Sequence, residues 1–145
     1  MHWFNSQLQT LYKLAEAYEI CQTKKAGENV EESRQARIAF VNNVQSLVDS
    51  VVKLPIISGC VAGHDGFIMA KAGSVSDSDA LGALIQENMV IAERSKKLLG
   101  LGEIQQIVIV GENNKIAMIS VGQVTLCILS PKQSNLAELL SLEPN

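Results

Sequence analysis

The sequence is short of aromatic residues and of long apolar runs, and each shortage excludes a class of protein. Aromatic residues make up 4% of the 145 residues and apolar residues 47%, which predicts a core of aliphatic side chains. No apolar stretch approaches the roughly 20 residues that cross a bilayer. The first ten residues also lack the basic and apolar regions of a signal peptide. We therefore expect a cytoplasmic protein that does not insert into a membrane.

Cysteines and basic residues are also too few, or too scattered, to indicate a metal centre or a nucleic-acid surface. Twelve Lys and Arg residues face fifteen Asp and Glu residues, and no basic stripe predicts nucleic acid as a partner. Cys21, Cys60 and Cys127 are far apart, without metal-ligand spacing, which indicates reduced, buried thiols. A phosphate-binding loop, GxGxxG, HExxH and GxSxG are absent. The sequence thus predicts no catalytic residue, metal or cofactor.

Hydrophobic periodicity divides the chain into an N-terminal helix and a separate domain. Helical spacing relates five apolar residues near the start of the chain: Phe4, Leu8, Leu11, Ala15 and Tyr18. The polar segment QTKKAGENVEES then leads to a second helix at about 33–52. We predict an amphipathic helical extension over 1–26 and one domain over 33–142.

Glycine-bounded apolar segments and two further helices complete the predicted fold. Strands are predicted at 56–63, 67–73, 103–111, 115–122 and 123–130. A long helix is capped by Ser76 or Asp77 and stops at Gly100, and Ser134 caps a short helix over 134–142. The short connections favour antiparallel pairing. The predicted class is α+β, an α/β sandwich with an antiparallel five-stranded sheet in the order helix-β-β-helix-β-β-β-helix, after the extra N-terminal helix.

The segment GHDGFIMAKAG places a histidine beside an aspartate at the junction of the first two strands. Asp-Gly is favoured at hairpin turns because glycine adopts positive φ freely. We interpret His64, Asp65 and Gly66 as a turn. A hydrolase that uses His64 and Asp65 is the competing interpretation.

The long helix carries more apolar surface than one sheet requires. Its apolar side chains cover close to half the circumference, whereas a helix lying on a sheet typically needs a stripe of about 100°. Asn88 and Ser95 lie within this stripe. Two interpretations remain open: a deeply buried helix with locally bonded polar residues, or a helix covered by its own sheet and by a second subunit.

The order of elements over 33–142 resembles that of the roadblock family, the dynein light-chain-like domains. Three stretches carry the resemblance: VDSVVKLPIISGCVAGHDGFIMAKAG, AERSKKLLGLGEIQQIVIVGENNKIAMISVG and QVTLCILSPKQSNLAELLS. They are similar to the family's first helix and hairpin, to the end of its central helix with the next two strands, and to its last strand and closing helix. The resemblance implies a non-enzymatic homodimer, or a heterodimer with a paralogue, in which third strands pair and long helices pack side by side.

The third strand agrees with this implied dimer. Its run from Ile107 to Val110 is apolar on both faces and has neither proline nor charge, so a bare edge there would favour aggregation. Pairing with a second copy removes that hazard. The predicted dimer interface comprises Leu81, Ile85, Asn88, Ala92, Ile107 and Ile109.

The resemblance also implies a Ras-like small GTPase, or a signalling or motor scaffold, as the partner. Predicted contacts lie on the solvent side of the long helix: Gln86, Val90, Glu93, Arg94 and Lys97. A plain solvated face is the alternative interpretation of these residues. A small-molecule-sensing domain of PAS or profilin-like shape is the alternative function. The N-terminal helix departs from the family pattern. Three roles are open for it: packing on the domain, covering the partner surface or recognising a partner itself.

Overall fold

The computed structural model describes residues 2–23, 30–64, 67–75, 77–104, 106–121 and 124–142. The helices are α1 (His2–Thr23), α2 (Val30–Val51), α3 (Ser78–Leu99) and α4 (Leu136–Leu139). The strands are β1 (Gly59–His64), β2 (Phe67–Gly73), β3 (Gln106–Val110), β4 (Asn114–Val121) and β5 (Val124–Pro131). This order confirms the predicted fold class.

The five strands form one antiparallel sheet in the order β2-β1-β5-β4-β3. The chain therefore crosses from β2 at one edge to β3 at the far edge through α3, and then returns through β4 and β5 to pair with β1. As a consequence, β2 and β3 are the two edge strands.

Alternation along the strands supplies a separate core to each face of the sheet. On one face, α1 and α2 pack over a large cluster that includes Phe40, Val44 and Leu126. On the other face, α3 packs over a smaller cluster of Val61, Ile85, Met118 and Cys127. The second face is the less completely covered, because α3 leaves Ile116 and Leu129 of the sheet half-buried.

The N-terminal helix is part of the larger core. Phe4, Leu11 and Ala15 are buried in it, and the ring of Tyr18 lies 5.3 Å from that of Phe40. The periodicity of the first helix therefore predicted its buried face. The division of the chain into 1–26 and 33–142 stays a prediction.

Several element boundaries differ from the sequence predictions, and three of these differences have a local reason. Strand β1 begins at Gly59 and not at 56, because Ile56 adopts a φ of 59°, outside the extended region. Strand β3 begins at Gln106 and not at 103, because Gly102 has a φ of 72° and turns the chain first. Helix α4 is capped by Asn135, while Ser134 Oγ lies 2.7 Å from the carbonyl oxygen of Pro131.

Two cysteines are buried thiols, as predicted. Cys60 and Cys127 are free and lie in the two different core clusters. Burial raises the pKa of Cys127 to about 12. Burial, with a smaller contribution from Cys127, also raises the pKa of Cys60. Both thiols therefore stay protonated and unreactive. The side chain of Cys21 lies outside the described residues.

Candidate interaction surface

Strand β3 presents a bare, apolar edge. Within the described residues it pairs with β4 alone, in an uninterrupted register from Gln106 opposite Ile119 to Val110 opposite Lys115. Its outer side carries unpaired backbone N–H and C=O groups, which form a template for a further strand.

Both faces of β3 are apolar and incompletely covered. Ile107 and Ile109 lie on the α3 side, and Ile109 is 37% exposed. Val108 and Val110 lie on the opposite side, where they are 48% and 57% exposed. The exposed apolar surface of β3 is therefore continuous round its edge.

The two ends of α3 are fixed by local hydrogen bonds. Asp77 accepts a hydrogen bond from the backbone N–H of Ala80 at 3.0 Å and is the N-cap. Gly100 ends the helix with a φ of 62°, and its N–H donates to the carbonyl oxygen of Lys96. The ammonium of Lys96 lies 2.7 Å from Glu103, and this hydrogen bond raises the pKa of Lys96. The bonds at Gly100 and Lys96 fix the turn that leads from α3 toward β3.

One stripe of α3 packs on the chain's own sheet. Ile85 is 4% exposed, and Leu81 and Met89 pack half-buried against the same cluster. Ser120 Oγ on β4 lies 3.4 Å from the sulfur of Met89, so the helix reaches across the sheet to β4.

A second apolar stripe of α3 remains exposed. Leu84, Ile91 and Leu98 recur every seven residues and are 36%, 56% and 84% exposed. At about 100° per residue they lie roughly 100–140° round the helix from Ile85. A seven-residue apolar repeat is typical of a helix that packs along another helix. Sequence analysis included these residues in one broad apolar arc, and only the structure separates the exposed stripe from the buried one.

The structure places the six predicted dimer-interface residues in different surroundings. Ile85 is already buried by its own sheet, and Leu81 and Ile107 pack against the same cluster. Asn88 and Ala92 are half-buried on α3. Asn88 Nδ2 donates to the carbonyl oxygen of Leu84 at 2.8 Å, a local bond of the kind that the buried-helix interpretation requires. The role of these six residues at an interface stays a prediction.

Beside the edge of β3, the α3 side of the sheet has an uncovered depression. Its volume is ≈430 Å³, and it includes Ile109, Ile116 and Leu129, with Ser58, Ser74 and Asn114 among its polar neighbours. The chain's own α3 leaves this part of the sheet exposed.

The five predicted partner contacts lie together on the outer side of α3. All five are exposed, and Val90 is 47% exposed. With Met89 they border a shallow groove of ≈370 Å³: Gln86, Val90, Glu93, Arg94 and Lys97. The groove combines an apolar floor with side chains of both charges.

The cleft between α3 and the sheet is small. It measures ≈180 Å³ and is bordered by Met89, Ile107 and Met118 together with polar residues such as Glu103. Small-molecule sites typically measure about 300–1,000 Å³. This cleft is therefore a weak candidate for a ligand site.

The His64 segment is described only in part. His64 is the last residue of β1 and pairs with Phe67, while the predicted turn residues Asp65 and Gly66 lie outside the described part. Over the residues that are described, no three or more His, Cys, Asp and Glu side chains come together as metal ligands. In the same part of the chain, no helix has the length and apolarity to span a bilayer.

Sequence and fold comparisons point to one family. The sequence model of the Roadblock/LC7 domain matches residues 43–130, from within α2 to β5, which confirms the resemblance predicted from the sequence. The chain is 35% identical over 78 residues to the Methanocaldococcus jannaschii protein MJ0310, a stretch that covers 52% of this chain and 68% of that protein.

Solved structures show the same fold at low sequence identity. Myxococcus xanthus MglB matches with a TM-score of 0.63 and 20% identity, over 70% of this chain and 78% of that one. A structure described as MglB with a tetrameric arrangement matches with a TM-score of 0.56 and 19% identity, over 68% of this chain and 76% of that one.

Proposed function

Because the chain belongs to the Roadblock/LC7 domain family, we propose that it is a non-enzymatic dimeric adaptor or regulator that binds a Ras-like small GTPase. Two copies pair through β3 and α3, and the outer side of α3 meets the GTPase. The buried free thiols suit the reducing cytoplasm as its location.

The main support for the proposed dimer is the difference between the two edge strands of the sheet. Edge strand β2 has an exposed lysine, Lys71, and its pairing with β1 is irregular between Ala62 and Gly63. Charges and bulges of this kind protect an edge from further pairing. Strand β3 has neither, and its register with β4 is regular. Only the β3 edge is therefore suited to accept another strand.

Pairing of β3 with its own copy also gives the α3 side of this edge a second cover. A two-fold axis beside β3 turns the second copy's α3 antiparallel to the first on the same face of the joined sheet. The depression at Ile109, beside the paired edges, is then covered by the second copy. The MglB structure with a tetrameric arrangement supports self-association as a property of this fold.

The groove on the outer side of α3 supports the choice of a protein partner. Its lining of Met89, Val90 and charged side chains is open and shallow, as in protein interfaces with an apolar centre and a polar rim. A ligand sensor has less support, because the cleft under α3 measures only ≈180 Å³.

Titration calorimetry tests the GTPase partnership. The Ras-like GTPases encoded by the source genome are purified, loaded with GDP or a non-hydrolysable GTP analogue, and titrated with the protein. We expect at least one to bind in a nucleotide-dependent manner. Arg94→Glu inverts a charge in the groove and is expected to weaken that binding at least about tenfold.

Arg37→Glu provides the matched control. Arg37 is an exposed residue of α2, so its reversal changes the net charge equally while leaving the groove of α3 intact. Its binding should equal that of the wild type. If every GTPase fails to bind in both nucleotide states, the proposed partner is wrong.

A further inference from the structure

Helix α1, which lies outside the matched family segment, exposes an aromatic side chain, Tyr12, among polar neighbours. Its residues Phe4 and Leu11 face the core. At about 100° per residue, Tyr18 lies roughly 40° to one side of Phe4 and Tyr12 roughly 80° to the other. Because Tyr18 packs against Phe40 of α2, the Tyr12 flank points away from α2. Tyr12 is 54% exposed there.

The order of elements across the sheet places this flank beside the bare edge. Helix α2 contacts β1 and β2, whereas α1 contacts α2 and β4. The strand next to β4 is β3, so β3 is the strand beyond α1 on this face. Val108 and Val110 point to the same face and are 48% and 57% exposed. We call Tyr12, Val108 and Val110 the edge strip.

Pairing of β3 alone would leave the edge strip exposed. Backbone hydrogen bonds between two β3 strands join the edges, but the valine side chains stand perpendicular to the sheet. Val108, Val110 and their two copies would then form one apolar floor at the two-fold axis, open to solvent between the two α1 helices. A monomer rarely leaves contiguous apolar surface without a use.

We infer that α1 forms a second layer of the dimer interface, in which the Tyr12 flanks of two copies close over the joined edge strips. This inference rests on the proposed pairing of β3. Strands lie about 4.8 Å apart, so β4 and its copy are separated by three spacings, roughly 14 Å. Each α1 lies on its own β4, so the two α1 helices are separated by about the same distance. Packed helices stand about 8–10 Å apart, so a third helix between the two α1 helices would need about 16–20 Å. The gap therefore fits side chains from two α1 helices and excludes a third helix.

This second layer assigns different tasks to the two faces of the sheet. On the α1 side, the added helix strengthens self-association beyond what the matched segment 43–130 supplies. The groove bordered by Arg94 belongs to α3, on the opposite face of the sheet from α1. The N-terminal helix thus stabilises the dimer without covering the proposed GTPase surface.

The dimer dissociation constant, measured by sedimentation velocity, tests the inference on the full chain. Tyr12→Glu places a charge in the edge strip and is expected to raise this constant at least about tenfold. Ser6→Glu adds the same charge on the outward side of α1, roughly 160° round from Phe4, and should change it less than about twofold. An unchanged constant for Tyr12→Glu would overturn the inference.

Cross-linking gives an independent measure that does not depend on affinity. In a Cys21→Ser parent, Tyr12→Cys is treated with a short bismaleimide, while the buried Cys60 and Cys127 stay unreactive. We expect a covalent dimer from Tyr12→Cys and none from Ser6→Cys. A dimeric sample that gives no cross-link at Tyr12 contradicts the inference but leaves the pairing of β3 standing. A wild-type chain that is monomeric refutes both.

Discussion

At the scale of single residues, two glycines with the same backbone conformation have different steric surroundings. Gly73 and Gly100 have φ values of 76° and 62°. A Cβ at Gly73 would meet the carbonyl oxygen of Ser58 and lie 2.9 Å from the Cα of Gly59, whereas at Gly100 nothing lies within 4 Å. The first glycine is required by the pairing of β1 with β2, the second only by the end of α3.

Replacing each glycine with alanine separates these two demands. Gly100→Ala is expected to cost about 1 kcal/mol of unfolding free energy for the left-handed backbone alone. Gly73→Ala should cost at least about 2 kcal/mol more, because backbone atoms must move. Urea unfolding of the two variants measures the difference. Equal losses would mean that the close approach at Gly73 is absent in solution.

Sequence analysis placed Gly73 at the end of a strand and Gly100 at the end of a helix. It did not indicate which glycine is more costly to replace. Turn and cap preferences depend on neighbours in the chain, and these are visible in the sequence. The crowding at Gly73 depends on Ser58, which comes close only after the strands pair. The same limit explains Ser134, whose hydroxyl bonds the preceding turn while Asn135 caps α4.

At the scale of elements, α1 is integrated into the core although it precedes the matched family segment. Leu11 is fully buried in the cluster that contains Phe40 and Val44. Trp3 near one end of α1 packs against this cluster, and the ring of Tyr18 near the other end contacts that of Phe40 in α2. The helix is therefore expected to unfold together with the domain.

Leu11→Ala tests this integration. Removing a fully buried leucine is expected to lower the unfolding free energy by about 2–5 kcal/mol. Thr10→Ala, at an exposed neighbouring position, should change it by less than about 0.5 kcal/mol. Chemical denaturation followed by circular dichroism provides both values. A loss below about 1 kcal/mol for Leu11→Ala would indicate a helix that detaches from the domain.

Element type was easier to predict from the sequence than element extent. The apolar repeat of α1 and the capping residues of α3 are encoded locally, so their predicted positions agree with the structure. The start of β1 was missed because an apolar run continues through Ile56, whose positive φ reflects the loop after α2 and not the residue's own preference.

At the scale of the whole molecule, the sequence indicated how much of α3 is apolar but not which part meets its own sheet. That division depends on how α3 crosses from β2 to β4, a property of tertiary packing. The predicted interface residue Ile85 consequently points from α3 onto the chain's own sheet and is buried there. Leu84, Ile91 and Leu98 of the same helix are exposed. By contrast, the apolar character of β3 could be read directly, because an edge without charge or proline is a local feature.

Molar mass in solution, measured by light scattering at low micromolar concentration, is the decisive test of pairing through β3. We predict twice the chain mass of 15.7 kDa for the wild type and for Ile38→Glu, which charges an apolar position of α2 that is 49% exposed. Ile109→Glu should give a folded chain of 15.7 kDa, with folding checked by circular dichroism. A wild-type mass of 15.7 kDa, or a dimer that survives Ile109→Glu, would contradict pairing through β3.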